Sequence, residues 1–122
     1  MYVQPFEKLR VWRDALDLVG IVYRDTEALP AGERFGLQSQ MRRASVSIVS
    51  NIAEGYKRRR TSEYLDFLGY ADASAAELYT QSIICKKIFP RAVSGEAREK
   101  LAKIQKALTV LRKKLGGKAG RA

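Results

Sequence analysis

Lys57-Arg58-Arg59-Arg60 is the densest run of one chemistry in the chain. It follows an apolar-periodic stretch, so it falls where a helix ends and where the helix dipole favours cations. Capping alone asks for one or two such charges. Four in a row suit phosphate, because arginine offers a bidentate fork and lysine a point charge. Arg42-Arg43 form a second pair in the same segment, and Arg112-Lys113-Lys114, followed by Lys118 and Arg121, form a third cluster. The chemistry on offer is electrostatic: neutralising backbone phosphates and releasing their counterions. No recognition-helix or RNP-type aromatic signature accompanies the clusters, so base readout is not expected. The six tyrosines fall mostly at positions that helix periodicity assigns to packing.

The whole chain supports this emphasis. Its 122 residues carry 23 Lys and Arg against 13 Asp and Glu, a formal net charge of +10. Residues 1–90 hold 13 basic and 11 acidic side chains, whereas residues 91–122 hold 10 basic and 2 acidic. Such asymmetry points to a polyanionic partner, nucleic acid or an anionic membrane surface, over the plainer alternative of a basic but idle surface.

Catalytic and metal chemistry find little footing. Histidine is absent, which removes the commonest general base and metal ligand. The single cysteine, Cys85, lies on an apolar seam and reads as a small hydrophobe; alone it forms no internal disulfide and no zinc motif. Gln40, Arg43, Ser47, Asn51, Glu54 and Arg58 share a narrow polar face. Ser47 as nucleophile with Glu54 as acid or base has no histidine and no second carboxylate behind it. The face reads instead as a solvated stripe, or as a hydrogen-bonded polar seam between helices or subunits. Gly116-Gly117-Lys118 lacks the leading glycine and following hydroxyl of a phosphate loop. No metal site, cofactor or catalytic residue is expected.

Four helical segments must position these residues. The first spans about Lys8 to Leu29 and stops before Pro30; the second spans about Glu33 to Arg59. Thr61 and Ser62 offer an N-cap to the third, which runs to about Phe89. Ser94 offers one to the fourth, which Gly116-Gly117 ends near Leu115. In the fourth, Ala97, Leu101, Ile104, Leu108, Leu111 and Leu115 alternate steps of four and three. In the third, Leu68, Ala71, Ala75, Leu78, Ser82, Cys85 and Phe89 do the same. These are bundle seams, and no segment alternates like a strand. The expectation is an all-α, antiparallel up-down four-helix bundle over residues 1–117 with a frayed basic C-terminal tail at 118–122. No signal peptide or membrane-spanning run is present, so a cytoplasmic protein away from the membrane is expected.

The second segment carries more apolar surface than a lone bundle needs. Leu37, Met41, Ala44, Ile48 and Ile52 line one face; Val46, Val49, Ala53 and Tyr56 line a neighbouring one. The first is similarly broad, with Trp12, Leu16, Val19 and Tyr23 beside Val11, Leu18 and Val22. A homo-oligomer is therefore expected, with Val46, Val49, Asn51, Ala53, Glu54 and Tyr56 as its contact or polar-seam residues.

Three stretches carry a family likeness. Phe6-Glu-Lys-Leu-Arg-Val-Trp-Arg-Asp-Ala-Leu16 resembles the opening of the 23S rRNA intervening-sequence proteins, a bacterial four-helix-bundle family. The run from Leu37 to Gly55, with Arg42-Arg43-Ala44 and Asn51-Ile52-Ala53-Glu54-Gly55, resembles the family's most characteristic stretch, and Phe67 to Leu78 its third-helix signature. Val49 stands where many members carry proline, so the helix geometry there can differ. The resemblance implies a ring, a pentamer, and a name taken from genes inside rRNA insertions rather than from an activity. A related bundle, the accessory protein of diversity-generating retroelements, is similarly basic and binds nucleic acid and a reverse transcriptase; that kinship is one of fold and charge.

The expected function is a non-enzymatic, ring-forming basic bundle that binds nucleic acid, RNA in particular, through phosphate contacts. Arg42, Arg43, Lys57, Arg58, Arg59, Arg60, Arg112, Lys113 and Lys114 are the expected contacts. The competing expectation is a protein-interaction scaffold, for example an accessory subunit of an enzyme such as a reverse transcriptase.

Overall fold

Val11, Ala15, Leu18 and Val22 recur at steps of four and three, a spacing that puts them on one side of a helix. In the computed structural model, which describes residues 2–121 and side chains up to residue 117, that helix is α1, Arg10–Thr26. It is followed by α2 (Leu37–Tyr56), α3 (Thr61–Ile88) and α4 (Glu96–Arg121). Short 3-10 turns, Pro5–Lys8 and Ala31–Glu33, precede α1 and α2, and no strand occurs among the described residues. Each helix packs against its sequence neighbours and α4 closes against α1. The result is the expected antiparallel up-down bundle.

The two seams behave as their spacing dictates. Leu68, Ala71, Ala75, Leu78, Ser82 and Cys85 of α3 are buried, as are Ala97, Leu101, Ile104 and Leu108 of α4. Phe89, Leu111 and Leu115 are half-buried at the core's margins. Each fully buried Leu or Ile contributes about 1.5–3 kcal/mol relative to exposure. Val49 lies within an unbroken α2, so the valine sustains ordinary helix where proline would disturb it.

The helix ends depart from the expectations for local reasons. Leu29 lies beyond α1, because the chain tightens after Thr26 into bonds from the Ala28 and Leu29 amides to the Asp25 and Thr26 carbonyls. Phe35-Gly36 interrupts the second segment, and Leu37 begins α2 with its amide donating to Glu33 Oε1 at 3.2 Å. At its other end α2 stops at Tyr56, leaving Lys57 as its C-cap. Arg60, not Thr61, is the N-cap of α3. Gly95, at φ +87°, intervenes before α4, yet Ser94 Oγ still accepts the Glu96 amide at 3.3 Å. Gly116-Gly117 does not end α4. A glycine pair stops a helix when one of them turns left-handed, and among the described residues only Gly95 has positive φ. The expected tail at 118–122 therefore continues α4 through Arg121; its side chains, Lys118 and Arg121 included, lie outside the described ones.

A polar knot pins the α3–α4 connection to α1. Asp25, only 9 % exposed, accepts from Ser94 Oγ at 3.0 Å, while Arg24 donates to both Asp25 and Ser94. Lower on the same side, Lys100 of α4 reaches Asp14 and Asp17 of α1 at 3.6 and 3.8 Å. Partly exposed pairs of this kind contribute at most about 1 kcal/mol each.

Candidate nucleic-acid interface

Alternating helix direction decides which charges meet. α2 and α4 finish at the end of the bundle where α1 and α3 begin. The turn Lys57-Arg58-Arg59-Arg60 forms part of that end, and all four side chains are exposed. Lys8, which ends the first 3-10 turn, and Arg10 and Arg13, at the start of α1, join them there, exposed and not singled out by the sequence. On the other flank, Lys113 and Arg112 share a shallow cleft of about 470 Å³ with Leu65 and Asp66, in the first turns of α3, and with Thr109. The two basic runs, more than fifty residues apart in sequence, thus lie within a few helical turns of each other.

The nine expected cations sort by what holds them. Arg60 approaches Glu63 at 3.9 Å, and Arg112 pairs with Asp72 at 3.1 Å, stapling α4 to α3. Arg58 places its guanidinium 4.4 Å from the centroid of the Phe67 ring, a cation–π contact that fixes the side chain without neutralising it. Lys57, Arg59, Lys113, Lys114 and Arg43 are exposed and carry no ion pair among the described residues. Arg43 stands apart, about 20 Å up α2 from Tyr56 at 1.5 Å per residue.

Arg42 has a different task. Its Nε donates to Thr26 Oγ1 at 2.9 Å, and its Nη2 reaches the Tyr23 carbonyl at 3.3 Å and Glu27 Oε2 at 3.0 Å. The guanidinium also sits 4.4 Å from the Tyr23 ring centroid. It closes the C-terminal end of α1, adding a donor to the Tyr23 carbonyl that already accepts the Glu27 amide, and so leaves the set of candidate phosphate ligands. Arg42→Ala should cost about 2 kcal/mol, the range for bonds to a charged group. The melting midpoint should then fall by about 6–12 °C for a chain of this size. Arg43→Ala should stay within about 0.5 kcal/mol of wild type. Thermal unfolding by circular dichroism separates the two.

On the polar face of α2, Ser47 and Asn51 form a half-buried seam with α3, whereas Gln40, Arg43, Glu54 and Arg58 are exposed. Ser47 Oγ and Ser74 Oγ of α3 lie 2.8 Å apart, and Asn51 Nδ2 donates to the Ser47 carbonyl at 2.8 Å and to its Oγ at 3.0 Å. Ser47 is thus bound to two polar neighbours, neither of them a base. Burial pushes the Cys85 thiol up from its ordinary value, and the charges of Asp25 and Glu33 push the same way, so it stays protonated near neutrality.

The expected oligomer contacts divide likewise. Val49 is buried in the protomer's own core and Asn51 belongs to the α2–α3 seam. Val49 is withdrawn as a contact with a second copy, because the protomer's own helices cover it, while Asn51 keeps the polar-seam half of its expected role. Val46 and Tyr56 are exposed. Ala53 and Glu54 line an open cleft of about 350 Å³ with Phe6, Lys57 and Arg58. The surplus apolar surface appears elsewhere: Leu16 and Tyr23 on α1, and Tyr70, Ile83, Ile84 and Ile88 on α3. The α3 residues lie off the Leu78-Ser82-Cys85 seam, and that second apolar row was there to be found in the sequence. Tyrosine placement also differs from expectation. Tyr2, Tyr23, Tyr56, Tyr70 and Tyr79 are exposed and Tyr64 is half-buried, as suits rings with an apolar body and a wet tip at a core's edge.

No group of three or more Cys, Asp or Glu side chains that could hold a metal occurs among the described residues, and none of the described helices is long and apolar enough to cross a membrane. The family model described as 23S rRNA-intervening sequence protein matches residues 7–115. No curated protein matches the chain.

Proposed function

The chain belongs to the 23S rRNA-intervening sequence protein family, and from that premise we propose that it is a non-enzymatic, self-assembling basic bundle that binds RNA or other nucleic acid through phosphates in the cytoplasm. One observation carries the reading: the Lys57–Arg60 turn and the Arg112–Lys114 run share an end of the bundle, with Lys57, Arg59, Lys113 and Lys114 exposed and without ion pairs among the described residues. Exposed unpaired cations on a rigid scaffold are what backbone phosphate contacts need, and they carry little sequence information. Affinity should fall steeply with salt, with a log–log slope of about −0.7 for each phosphate contacted on a single strand. Fluorescence anisotropy with labelled RNA measures it; no binding at about 50 mM salt overturns the reading.

Self-association belongs to the same proposal. The uncovered apolar residues lie on unlike faces, Leu16, Tyr23 and Val46 along α1 and α2, Tyr70, Ile84 and Ile88 along α3. Unlike faces favour head-to-tail contacts, which close into a ring when the rotation per copy divides the circle, and a pentamer is the ring proposed. Light scattering at micromolar concentration should return a multiple of the 13.7 kDa chain; a monomer mass overturns this part.

A second reading, a scaffold for a protein partner such as a reverse transcriptase or another enzyme, draws on the opposite end. There Ala28, Pro30, Phe89, Pro90, Arg91 and Ala92 line a largely apolar cleft of about 420 Å³, beside the exposed Ile88. Capture of one stoichiometric protein from nuclease-treated lysate, with no RNA affinity in the purified chain, would favour it over the first.

A further inference from the structure

We propose that the cleft formed by Phe6, Ala53, Glu54, Lys57 and Arg58 holds one unpaired nucleotide of single-stranded RNA, its base against the Phe6 ring and its phosphate on Lys57 and Arg58. The inference rests on the nucleic-acid reading above and specifies which part of the ligand is recognised.

The cleft, about 350 Å³, has the size of a small-ligand site and a composition that matches one nucleotide. Its aromatic wall is held in place before any ligand arrives. Pro5 opens the 3-10 turn and sets the backbone angle, Glu7 Oε2 accepts the Gln4 amide at 2.7 Å, and the Leu9 amide donates to the Phe6 carbonyl at 3.0 Å. The Phe6 ring leans on Trp12, with centroids 5.3 Å apart and planes tilted by 54°. Phe6 is only half-buried, so it has surface left for a base. Ala53 supplies a small apolar floor.

The charged walls divide the nucleotide between them. Neither Lys57 nor Arg58, the latter held over Phe67, makes an ion pair among the described residues, so the two suit phosphate. Glu54, an exposed carboxylate on the same cleft, would repel phosphate. It suits the base edge, where a carboxylate accepts from the cytosine 4-amino group or from the guanine N1–H and 2-amino group; on uracil the one edge donor, N3–H, is flanked by two carbonyl oxygens that repel a carboxylate. A base locked in a duplex exposes neither its face nor its pairing edge, so the cleft takes only unpaired residues. The α3–α4 cleft around Lys113 has cations but no ring, and offers no comparable seat.

The experiment is anisotropy on the full chain with three labelled RNAs of equal phosphate count, a cytosine-rich single strand, a uracil-rich single strand and a blunt duplex, at about 50 mM salt. The cytosine-rich strand should bind tightest and the duplex weakest. Phe6→Leu, which keeps the packing on Trp12 but removes the π-face, should weaken the cytosine-rich strand about tenfold and leave the duplex unchanged. Phe6→Tyr should bind like wild type, and Glu54→Gln should abolish the preference for cytosine over uracil. Equal affinity for strand and duplex overturns the inference and leaves the phosphate reading standing, and so does an unaltered Phe6→Leu with wild-type melting. Loss of affinity for duplex and strand alike in Phe6→Leu also overturns it. Absence of binding to all three RNAs overturns both.

Discussion

Gly55→Val should destabilise the bundle by about 3 kcal/mol and lower its melting midpoint by about 10 °C or more. A Cβ placed on Gly55 would lie 2.8 Å from Phe67 Cβ, 3.0 Å from Tyr64 Cδ1 and 3.3 Å from the Tyr64 carbonyl oxygen. The Phe67 atom and the carbonyl belong to, or adjoin, the α3 backbone, so relief requires the two helices to separate. Gly55→Ala meets the same wall but gains helix propensity, about 1 kcal/mol over glycine, and should lose less. Gly20 is the internal control. It lies in α1 with nothing within 4 Å of a built Cβ, so Gly20→Ala should stabilise by about 0.5–1 kcal/mol. The same close approach sets up the interface, because Arg58 follows at once, its amide bonding the Gly55 carbonyl at 3.1 Å and its guanidinium covering Phe67. Denaturation of the three variants measures the ranking; a Gly55→Val protein that melts with wild type would show that α2 and α3 tolerate separation there.

The fold was readable wherever one face of a helix decided burial. The α3 and α4 seams follow the four-three spacing because those helices each show the core a single narrow stripe. α1 was harder: its Trp12-Leu16-Val19-Tyr23 row is as apolar as its Val11-Ala15-Leu18-Val22 row, and only tertiary packing says that the second turns inward while Leu16 and Tyr23 stay out. α2 misled in part: its Met41-Ala44-Ile48-Ile52 face turns inward as its spacing implies, but of the neighbouring face Val49 is also buried while Val46 and Tyr56 stay out. At the site, the basic runs were visible as runs. Their assembly at one end follows from helix direction, which the short connections imply. Arg42 could not be told from Arg43, because its partners Tyr23, Thr26 and Glu27 lie one helix earlier with no local pattern to announce them. Phe6 was equally silent: its place beside Lys57 depends on a 3-10 turn folding back over the end of α2.

Reversing Lys57 and Arg59 together to glutamate should weaken RNA binding by about 100-fold at low salt, taking about 1.4 kcal/mol for each phosphate no longer held. The choice follows from the structure. Both side chains are exposed and without ion pairs among the described residues, so no internal pairing is removed with them. Arg58 and Arg42 are unsuitable for the purpose, since one covers Phe67 and the other closes α1. Lys57 is the C-cap of α2, so a negative charge there opposes the helix dipole and costs about 0.3–1 kcal/mol, which an unchanged far-UV spectrum and a small midpoint shift would bracket. The salt slope carries the sharper information. Freeing two phosphates of a single strand should flatten it by about 1.4, whereas a general decline in folded protein lowers affinity without touching the slope. Reversal of Lys113 and Lys114 provides the second arm. If the nucleic acid spans the whole end, that pair flattens the slope as well; if it occupies only the α2–α3 turn, that pair leaves the slope as it was. Unchanged affinity with all four charges reversed would remove phosphate recognition from this end of the bundle, and with it the reason for gathering so many cations there.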